Sequence, residues 1–312
     1  MSDKIPLLVL TDLSPGHRAA AAEAFDLTYA TTPHDRSAAI VATGDRIRAV
    51  LTIGLVGLTA AEMAAMPALE LVCCMGGGYE GVDIEAARGR GIVVASGRGT
   101  NDDCVADHAI GLVIAIVRNL RQLDRLCREG VWRTAIPHPP TVTGKRLGIL
   151  GLGAIGEKIA KRATAFDMSI GYHNRKPNET VPYRFFANLK DLAQWSDILV
   201  CAAPGGAATR HLVDADILDA LGPDGFLVNV GRGSVVDTAA LAAALREGTI
   251  AGAGIDVYES EPARPEALID LQNMIITPHL AGWSPEATQA QFEQFLANVQ
   301  GHFSGRGAVS PV

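Results

Sequence analysis

Apolar residues cluster in short runs that are separated by alanine-rich or polar segments. Four of these runs lie in the first third of the chain and have the length of buried strands: LLVL (7–10), AVLT (49–52), LELVCCM (69–75) and IVVA (92–95). The segments near 15–25, 59–65 and 83–90 are rich in alanine and predict helices between the strands. Continuous apolar strands that alternate with helices are typical of a parallel sheet covered on both faces.

A second series of strands follows the same pattern. It comprises RLGILGLG (146–153), SIGYHN (169–174), DILVCAAP (197–204), FLVNVG (226–231), IAGAGIDVY (250–258) and NMIITPH (273–279). A long helical region, about 103–129 and ended by Gly130, connects the two series. A final amphipathic helix is predicted to start at Ser284, which can cap it, with Pro285 in its first turn, and to run to about Phe303. The pattern predicts an α/β protein with two doubly wound, Rossmann-like parallel-sheet domains and a cleft between them, where ligands commonly bind.

Composition and charge exclude several classes of protein. The chain has 312 residues, enough for two domains with separate cores, and its 48% apolar and 20% charged residues do not fit a disordered chain. A formal net charge of −7 opposes general binding to nucleic acid or to anionic membranes, so neither is expected as a partner.

Apolar stretches and cysteines also bear on where the protein works. The longest apolar stretch, AIGLVIAIV (109–117), is much shorter than the about 20 residues that span a bilayer. The N-terminal run Leu7–Leu10 is too short for the core of a signal peptide. The five cysteines lie at positions 73, 74, 104, 127 and 201, without the spacing of zinc ligands. We therefore expect a cytoplasmic protein with buried free thiols and no metal site.

The segment GLGAIG (151–156) has the spacing of a dinucleotide-binding glycine loop. It follows the apolar strand RLGIL and precedes the helical segment EKIAKRATAF, as that role requires. Gly151 permits a tight turn, Gly153 lets the backbone approach a pyrophosphate, and Gly156 allows close packing of helix and strand. The phosphates would lie at the positive end of the helix, so we predict dinucleotide binding here rather than a merely tight turn.

The next strand ends in YHNRKP (172–177), where an acidic residue is expected in proteins that bind NAD. That acid, about 20 residues beyond the glycine loop, usually binds the ribose 2′-hydroxyl. This chain instead has His173, Asn174, Arg175 and Lys176. Arginine forms bidentate bonds with a phosphate and lysine adds a second positive charge, which favours NADP(H) over NAD(H). A solvated basic turn is the alternative, and the sequence leaves open whether His173 or Asn174 occupies the place of the acid.

Three polar residues stand at or just beyond the ends of later strands. Arg232 lies in VNVGRGSVVD, Glu261 in DVYESEP and His279 in ITPHLAG. Each alone has a structural explanation, as a strand-end arginine, a turn glutamate before Pro262 and a loop histidine. Together they fall where open parallel sheets place their active sites, so we predict that they are catalytic.

These motifs, in this order, resemble the D-isomer-specific 2-hydroxyacid dehydrogenases. GLGAIG, CAAPGGAATRHLV, LVNVGRGSVVD, GAGIDVYESEP and TPHLAG match the family's order and spacing, and the resemblance covers essentially the whole chain. It implies a discontinuous substrate domain, residues 1–100 and 284–312, and a NADP-binding Rossmann domain, residues 101–283. It also implies a homodimer formed through the cofactor domains, with which the apolar run 109–117 agrees.

The resemblance implies roles for individual residues. Arg232, Glu261 and His279 correspond to the family's catalytic residues, and Asp256 to the residue that binds the nicotinamide amide. Gly77 and Gly78 in MGGGYEGVD correspond to the loop that holds the substrate carboxylate through backbone amides. The remaining cofactor positions implied by the motifs are Ala154, Ile155, Ala203, Pro204, Thr209, Val230 and Ala281.

Elementary chemistry supports these catalytic roles. Reduction of a 2-oxo acid needs a hydride at the carbonyl carbon and a proton at its oxygen. His279 can supply the proton because imidazole titrates near neutral pH, and Glu261 would favour its charged form. Arg232 can bind the carboxylate and the carbonyl oxygen together. The other seven histidines have no such partners in sequence and are interpreted as structural or surface residues.

Within the family, YHNRKP is similar to the NADPH-linked glyoxylate/hydroxypyruvate and hydroxyphenylpyruvate reductases. We therefore expect reduction of glyoxylate and hydroxypyruvate, with aromatic 2-oxo acids of the phenylpyruvate type as the alternative. A dinucleotide-sensing binding protein without turnover, like the family's transcriptional corepressors, is an alternative from another class. The intact Arg–Glu–His set argues against it.

Four positions depart from the family or have two interpretations. Arg98 stands where the family usually has proline, and Asp102 where it usually has threonine, so a cofactor contact at Asp102 is in doubt. Gly77 replaces the usual valine of the substrate loop and could widen the pocket. Trp283 is interpreted either as a wall of that pocket or as a residue that caps the final helix.

Overall fold

The computed structural model describes residues 4–312 and divides the chain into two compact units. The first unit contains the residues up to Asn101 together with Trp283–Val312, and the second contains Asp102–Gly282. Each unit has one sheet in which all neighbouring strands pair in parallel. The predicted α/β fold class with two parallel sheets is confirmed.

The first unit has a five-stranded sheet in the order β2-β1-β3-β4-β5. Its strands are β1 (Pro6–Val9), β2 (Asp26–Tyr29), β3 (Ala49–Ile53), β4 (Leu71–Met75) and β5 (Val93–Ser96). Its helices are α1 (Pro15–Ala24), α2 (Pro33–Thr43), α3 (Ala60–Ala64), α4 (Ile84–Gly89) and α11 (Pro285–Phe303). The inner strands β3 and β4 are buried on both faces, which explains their continuous apolar runs.

Helix α11 belongs to the first unit because its apolar face packs on that sheet. Phe292, Phe295 and Val299 form one cluster with apolar side chains of β1, β3 and β4. The helix begins as predicted, since the Ser284 hydroxyl accepts a hydrogen bond from the Ala287 amide and the first residue is proline.

Two elements of the first unit escaped prediction. Strand β2 lies at the edge of the sheet with all four residues half-buried, so DLTY lacks an apolar run. Helix α2 buries only Ile40, so its sequence shows no clear hydrophobic face.

The second unit has a seven-stranded sheet in the order β12-β11-β10-β9-β6-β7-β8. Its strands are β6 (Arg146–Leu150), β7 (Ser169–His173), β8 (Arg184–Phe185), β9 (Ile198–Cys201), β10 (Phe226–Asn229), β11 (Gly252–Ile255) and β12 (Met274–Ile276). Its helices are α5 (Asp102–Val117), α6 (Leu120–Arg128), α7 (Ala154–Thr164), α8 (Leu189–Trp195), α9 (Ala215–Leu221) and α10 (Thr238–Glu247). The strand order reverses direction at β6, which lies between β7 and β9, and ligands bind at such reversals in open α/β sheets.

The predicted helical region of about 103–129 consists of two helices rather than one. The chain turns between α5 and α6 at Asn119, which takes a left-handed conformation with φ of 53°. Asparagine tolerates this conformation better than most residues, and its side-chain amide donates to Gln122 Oε1. A single asparagine inside an otherwise helical sequence does not reveal such a break.

Helix α5 packs directly on strand β11, and the glycines of that strand make this possible. A Cβ atom on Gly252 would lie 3.1 Å from Ile116 Cγ1, and one on Gly254 would lie 3.3 Å from Leu112 Cβ. The apolar run 109–117 is therefore largely buried inside the second unit, with Ile110, Leu112 and Ile116 each less than a tenth exposed.

Candidate active site

The glycine loop connects β6 to α7 through a tight turn. Gly151 has φ of 95°, and a Cβ atom there would lie 2.7 Å from the Ala203 backbone. A Cβ on Gly156 would lie 2.4 Å from the Gly151 carbonyl oxygen, so helix and loop are in close contact. Gly153, by contrast, is exposed and a Cβ there would meet nothing within 4 Å. The first-turn amides, including those of Ala154 and Ile155, begin α7 without a side-chain cap and can bind an anion.

In the basic turn after β7, the first two side chains are hydrogen-bonded to the protein and the next two are exposed. The Asn174 side chain bonds twice to the glycine loop: its Oδ1 accepts from the Leu152 amide at 2.7 Å, and its Nδ2 donates to the Leu152 carbonyl at 3.1 Å. His173 Nδ1 lies 2.8 Å from the Phe186 carbonyl oxygen. Arg175 and Lys176 are exposed and make no hydrogen bond or ion pair within residues 4–312. Asn174 thus shapes the glycine loop, whereas the two cations are available to a ligand.

The loops after β9 and β10 carry four further predicted cofactor positions. Ala203 and Val230 are buried at the strand ends, and Pro204 and Thr209 lie in the more exposed loop that follows β9. The Thr209 hydroxyl donates to the Pro204 carbonyl at 2.7 Å and so closes this loop on itself. All four lie at the carboxyl edge of the same sheet as the glycine loop.

Arg232 follows β10 on a turn that buried polar groups hold in place. The side chain of Asn229, only 1% exposed, donates to the Arg232 carbonyl at 3.1 Å and accepts from the Gly231 amide at 3.1 Å. The stem of Arg232 lies against Gly205, where a Cβ would be 3.1 Å from Arg232 Cγ. The guanidinium is thereby fixed beside the loop that follows β9.

His279 and Glu261 form a short ion pair. His279 Nδ1 lies 2.6 Å from Glu261 Oε2, and the other oxygen of Glu261 accepts from the Tyr258 amide at 2.7 Å. The Glu261 side chain is 12% exposed and that of His279 is 38% exposed. With Nδ1 donating to the carboxylate, Nε2 is left without a hydrogen-bond partner in the described chain and can exchange a proton with a ligand.

The electrostatic environment favours the protonated form of His279. The hydrogen bond to Glu261 raises the pKa of His279 above its usual value. Burial and the positive charge of Arg232 act in the opposite direction, while the Glu261 and Asp256 charges add to the increase in pKa. The net effect keeps the imidazolium present to higher pH than in water.

Asp256 organises the loop that presents His279. Its carboxylate accepts hydrogen bonds from the Leu280 amide at 2.9 Å, from the Ala281 amide at 2.8 Å and from the Thr277 hydroxyl. Its backbone carbonyl accepts from the His279 amide at 2.9 Å. His279 has φ of 56°, a left-handed conformation that these bonds on both sides of it maintain. From the residues that the structure describes, Oδ2 accepts only the Ala281 amide, so it has room for one more donor.

His108 and Thr277 also belong to this region, although neither was predicted to. His108 Nε2 lies 3.0 Å from Thr277 Oγ1 and 3.6 Å from Asp256 Oδ1. The interpretation of the remaining histidines as structural or surface residues stays a prediction. His211, like His108, lies near a carboxylate, since its Nε2 is 2.7 Å from Glu259 Oε1. Both pairs join residues far apart in sequence, so no local pattern could indicate them.

The predicted substrate loop lies in the first unit, after β4. Gly76 has φ of 77°, and a Cβ on Gly97 would lie 2.6 Å from the Gly76 nitrogen. A Cβ on Gly54 would lie 2.8 Å from the Gly78 carbonyl carbon, so the loop packs against backbone on both sides. The amides of Gly77 and Gly78 donate no hydrogen bond to any residue that the structure describes. Two adjacent free amides on a rigid loop are suited to a carboxylate.

The remaining positions in doubt have distinct environments. Trp283 is 74% exposed and does not cap α11, because Ser284 does. Arg98 is exposed, and its carbonyl accepts from Gln294 at 3.4 Å. Asp102 is the first residue of α5 and is only 7% exposed.

Comparison with known proteins shows the family. Residues 110–281 match the family D-isomer specific 2-hydroxyacid dehydrogenase, NAD binding domain. A glyoxylate/hydroxypyruvate reductase of Arabidopsis thaliana is 39% identical over 92% of both chains, and a hydroxyphenylpyruvate reductase of Plectranthus scutellarioides is 38% identical over 91% of both. An NADPH-dependent glyoxylate/hydroxypyruvate reductase of Sinorhizobium meliloti, solved in complex with NADP and malonate, superposes with a TM-score of 0.91. The two chains are 38% identical, and the match covers 99% of this chain and 97% of the Sinorhizobium chain.

The chain belongs to the D-isomer-specific 2-hydroxyacid dehydrogenases.

As a member of this family, the protein is an NAD(P)-dependent enzyme that interconverts 2-oxo acids and 2-hydroxy acids. The family assignment made from the motifs is confirmed. In the part of the chain that the structure describes, no helix combines the length and apolar character needed to cross a membrane.

The pKa of His279 should depend on Glu261 in this dehydrogenase. In the Glu261→Gln variant the negative charge is lost, while burial and the Arg232 charge still disfavour the imidazolium. The pKa of His279 should therefore fall by at least about one unit, as expected for the loss of an adjacent opposite charge. NMR titration of the imidazole in histidine-labelled protein measures the change.

The matched control is Glu247→Gln, which removes the same charge from the exposed last residue of α10. It should leave the pKa of His279 in place. A His279 pKa that is equal in wild type and Glu261→Gln would contradict the assignment of Glu261 as the residue that raises it.

Proposed function

We propose that the protein reduces the small 2-oxo acids glyoxylate and hydroxypyruvate to 2-hydroxy acids of D configuration, with NADPH as the preferred cofactor. The observation that carries the proposal is the 2.6 Å pair between His279 and Glu261, which leaves His279 Nε2 available as a proton donor. The names of two similar proteins, the Arabidopsis and Sinorhizobium reductases, support these substrates.

His279, Glu261 and Arg232 each have a separate role in the proposed reaction. A bound reduced nicotinamide supplies the hydride to the carbonyl carbon. His279 Nε2 gives its proton to the carbonyl oxygen as the new C–H bond forms, and the neutral imidazole then takes a proton from water. Glu261 stabilises the imidazolium before transfer. Arg232 binds the substrate carboxylate and carbonyl oxygen and stabilises the negative charge that develops on that oxygen.

We assign the two units different tasks. The first unit, close to the expected 1–100 and 284–312, would hold the substrate carboxylate through the amides of Gly77 and Gly78. The second unit, close to the expected 101–283, would hold the dinucleotide along the glycine loop and supply Arg232, Glu261 and His279. Asp256 Oδ2 retains one acceptor position, which supports its assignment as the partner of the nicotinamide amide.

The exposed cations of the basic turn support NADPH. Arg175 and Lys176 have no partner among the described residues, so neither must break a bond to reach a 2′-phosphate. The Asn174 amide, bonded to Leu152 at both ends, supports His173 as the position that corresponds to the missing acid. An aspartate at 174 would lose the donor to the Leu152 carbonyl and disturb the glycine loop.

Two observations leave the aromatic 2-oxo acids as the second candidate. The similar protein from Plectranthus scutellarioides is named a hydroxyphenylpyruvate reductase. Gly77 is exposed and carries no side chain that would narrow the substrate loop. A widened pocket would accept a larger substrate.

Substrate choice and proton donation can be tested together. Initial rates of NADPH consumption should be measured with a panel of 2-oxo acids from glyoxylate to phenylpyruvate. Glyoxylate and hydroxypyruvate should exceed phenylpyruvate in kcat/KM by at least about tenfold, as expected where a pocket rejects a bulky group. His279→Ala should lower turnover about 10²–10⁴-fold, the usual contribution of a positioned general acid.

The control for proton donation is His138→Ala, which removes an exposed histidine outside the site and should leave turnover unchanged. Near-normal turnover in His279→Ala would refute the role of His279. A reversed order of substrates would favour the aromatic alternative.

Cofactor choice depends on Arg175. The wild type should prefer NADPH to NADH by one or more orders of magnitude. Arg175→Ala should weaken NADPH binding about ten- to a hundredfold, because one charge-assisted bond contributes about 1.5–3 kcal/mol, and should leave NADH binding nearly unchanged. His173→Asp should repel the 2′-phosphate and shift preference toward NADH. Isothermal titration with both cofactors measures each effect.

Lys161→Ala serves as the control because it removes an exposed charge from the last turn of α7, away from the glycine loop. The preference for NADPH should shrink as salt is added, since the contacts are exposed. Equal affinity of the wild type for both cofactors would show that the basic turn is only a solvated loop.

We also propose that the enzyme is a homodimer. The apolar run 109–117 is buried within the second unit, where its side chains pack on β11. Its apolar character therefore no longer argues for a dimer interface. The family resemblance still supports the dimer, and Leu120, the first residue of α6, and Trp132, after that helix, are 46% and 68% exposed.

Multi-angle light scattering at micromolar concentration should give twice the chain mass of 32.7 kDa. Trp132→Lys should increase the monomer fraction if this exposed tryptophan lies in the interface, while Trp283→Lys serves as the comparison in the first unit. A monomeric wild type would rule the dimer out.

A further inference from the structure

A second histidine pairs with a glutamate two residues before Glu261. His211 Nε2 lies 2.7 Å from Glu259 Oε1, and both side chains are about two-thirds or more shielded from solvent, with exposures of 32% and 25%. Glu259 and Glu261 thus each hold one histidine, His211 and His279, at nearly the same distance.

The second oxygen of Glu259 reaches the helix that follows Arg232. Glu259 Oε2 accepts from the Thr238 amide at 3.1 Å and from the Thr238 hydroxyl at 2.7 Å, at the first turn of α10. Burial opposes the charged form of Glu259, but the hydrogen bonds from His211 and Thr238 outweigh it and hold the pKa of Glu259 below its usual value. The carboxylate therefore stays ionised and connects three segments of the second unit.

The backbone of His211 is held as tightly as its side chain. Its amide donates to the Ser234 carbonyl at 2.8 Å, in the turn directly after Arg232. Its φ is 51°. Within residues 4–312, four residues other than glycine have positive φ, and His211 and His279 are two of them. Such conformations persist where the surroundings fix them, and they concentrate at functional sites.

Direct contact connects this network to the catalytic carboxylate. A Cβ on Gly233 would lie 2.2 Å from the Tyr258 carbonyl carbon, so the turn after Arg232 and the segment 258–261 touch without spare volume. The Tyr258 amide in turn donates to Glu261 Oε1. A shift of segment 258–261 would therefore move Glu261.

We propose that His211 and Glu259 are positioning residues for the reaction: the hydrogen bond between them holds segment 258–261 on the turn after Arg232 and so holds Glu261 against His279. The inference rests on the proposed role of His279 as the proton donor. Neither residue contacts the reacting atoms in this scheme, and both act through Glu261.

When His211 is replaced, the direction in which the pKa of His279 changes distinguishes positioning from electrostatics alone. Loss of the His211 imidazole would, by Coulomb interaction alone, raise the pKa of His279 or leave it unchanged, because Glu259 keeps its negative charge. Displacement of Glu261 would lower it, because the hydrogen bond that raises this pKa would lengthen. The charges that face His211 are Glu259 and Asp237, whose Oδ2 lies 3.6 Å from Nδ1, with Arg210 3.6 Å from Glu259.

Two amide variants of His211 make a matched pair. Asparagine adopts the left-handed conformation readily but is too short to reach Glu259, so His211→Asn should keep the backbone and lose the bond. His211→Gln adds one methylene and restores a donor to Glu259. Glu266→Gln, in the exposed pair with Arg264, is the control for loss of a charge nearby in sequence.

The direct readout is NMR titration of His279 in the full-length protein without cofactor, with the signal identified from a His279→Gln spectrum. His211→Asn should lower the pKa of His279 by about 0.5 unit or more, whereas His211→Gln should lie closer to wild type and Glu266→Gln should match it. In rate measurements, turnover of His211→Asn should fall about threefold or more at alkaline pH and stay near wild type at pH values well below the pKa.

The outcomes decide between the proposals. An unchanged or raised pKa of His279 in His211→Asn would overturn the inference, as would lowered thermal stability without a shift in that pKa. If His279→Ala retained turnover, the proposed function would fail instead, and the NMR titration would still report whether the His211–Glu259 pair holds Glu261 in place.

Discussion

Parallel pairing of β6, β9, β10, β11 and β12 is the constraint on which the second unit depends. Because all of these strands run in the same direction, the residues that follow each of them arrive at one edge of the sheet. The glycine loop, Arg232, Glu261 and His279 are spread between positions 151 and 279 of the sequence, yet each follows a strand of this set. The register of the sheet fixes where each loop starts. Hydrogen bonds within and between the loops then fix where each side chain lies.

Those hydrogen bonds are made mainly by a few buried or half-buried polar side chains. Asn229 holds the turn before Arg232, Asp256 holds the loop of His279, and Asn174 holds the glycine loop. Each binds backbone groups that would otherwise be unpaired, which is costly away from water. A left-handed histidine such as His279 is stable in this setting because the Thr277 hydroxyl before it and the Leu280 and Ala281 amides after it all donate to the Asp256 carboxylate.

The elements that could be predicted from the sequence are those with strong local patterns. The buried strands, the glycine loop and the start of α11 at Ser284 follow from apolar runs, glycine spacing and capping chemistry. The break at Asn119 and the edge strand β2 could not be predicted, because one asparagine and a half-buried strand leave no clear pattern. In the site, the ends of strands indicated Arg232, Glu261 and His279. The partnerships of His211 with Glu259 and of His108 with Thr277 span 48 and 169 positions and arise only when the sheet forms.

The two hydrogen bonds between the Asn174 side chain and the Leu152 backbone restrict which residue can stand at position 174. Asn174, which follows β7, is hydrogen-bonded through its side chain to the glycine loop, the proposed site of the pyrophosphate that NAD and NADP have in common, whereas the side chains at 173, 175 and 176 make no bond to that loop. If Arg175 and Lys176 bind the 2′-phosphate as proposed, cofactor choice and pyrophosphate binding depend on adjacent but separable side chains. An evolutionary switch between the two dinucleotides could then proceed through the side chains at 173, 175 and 176 with little disturbance of the loop, whereas the side chain at 174 would have to be kept.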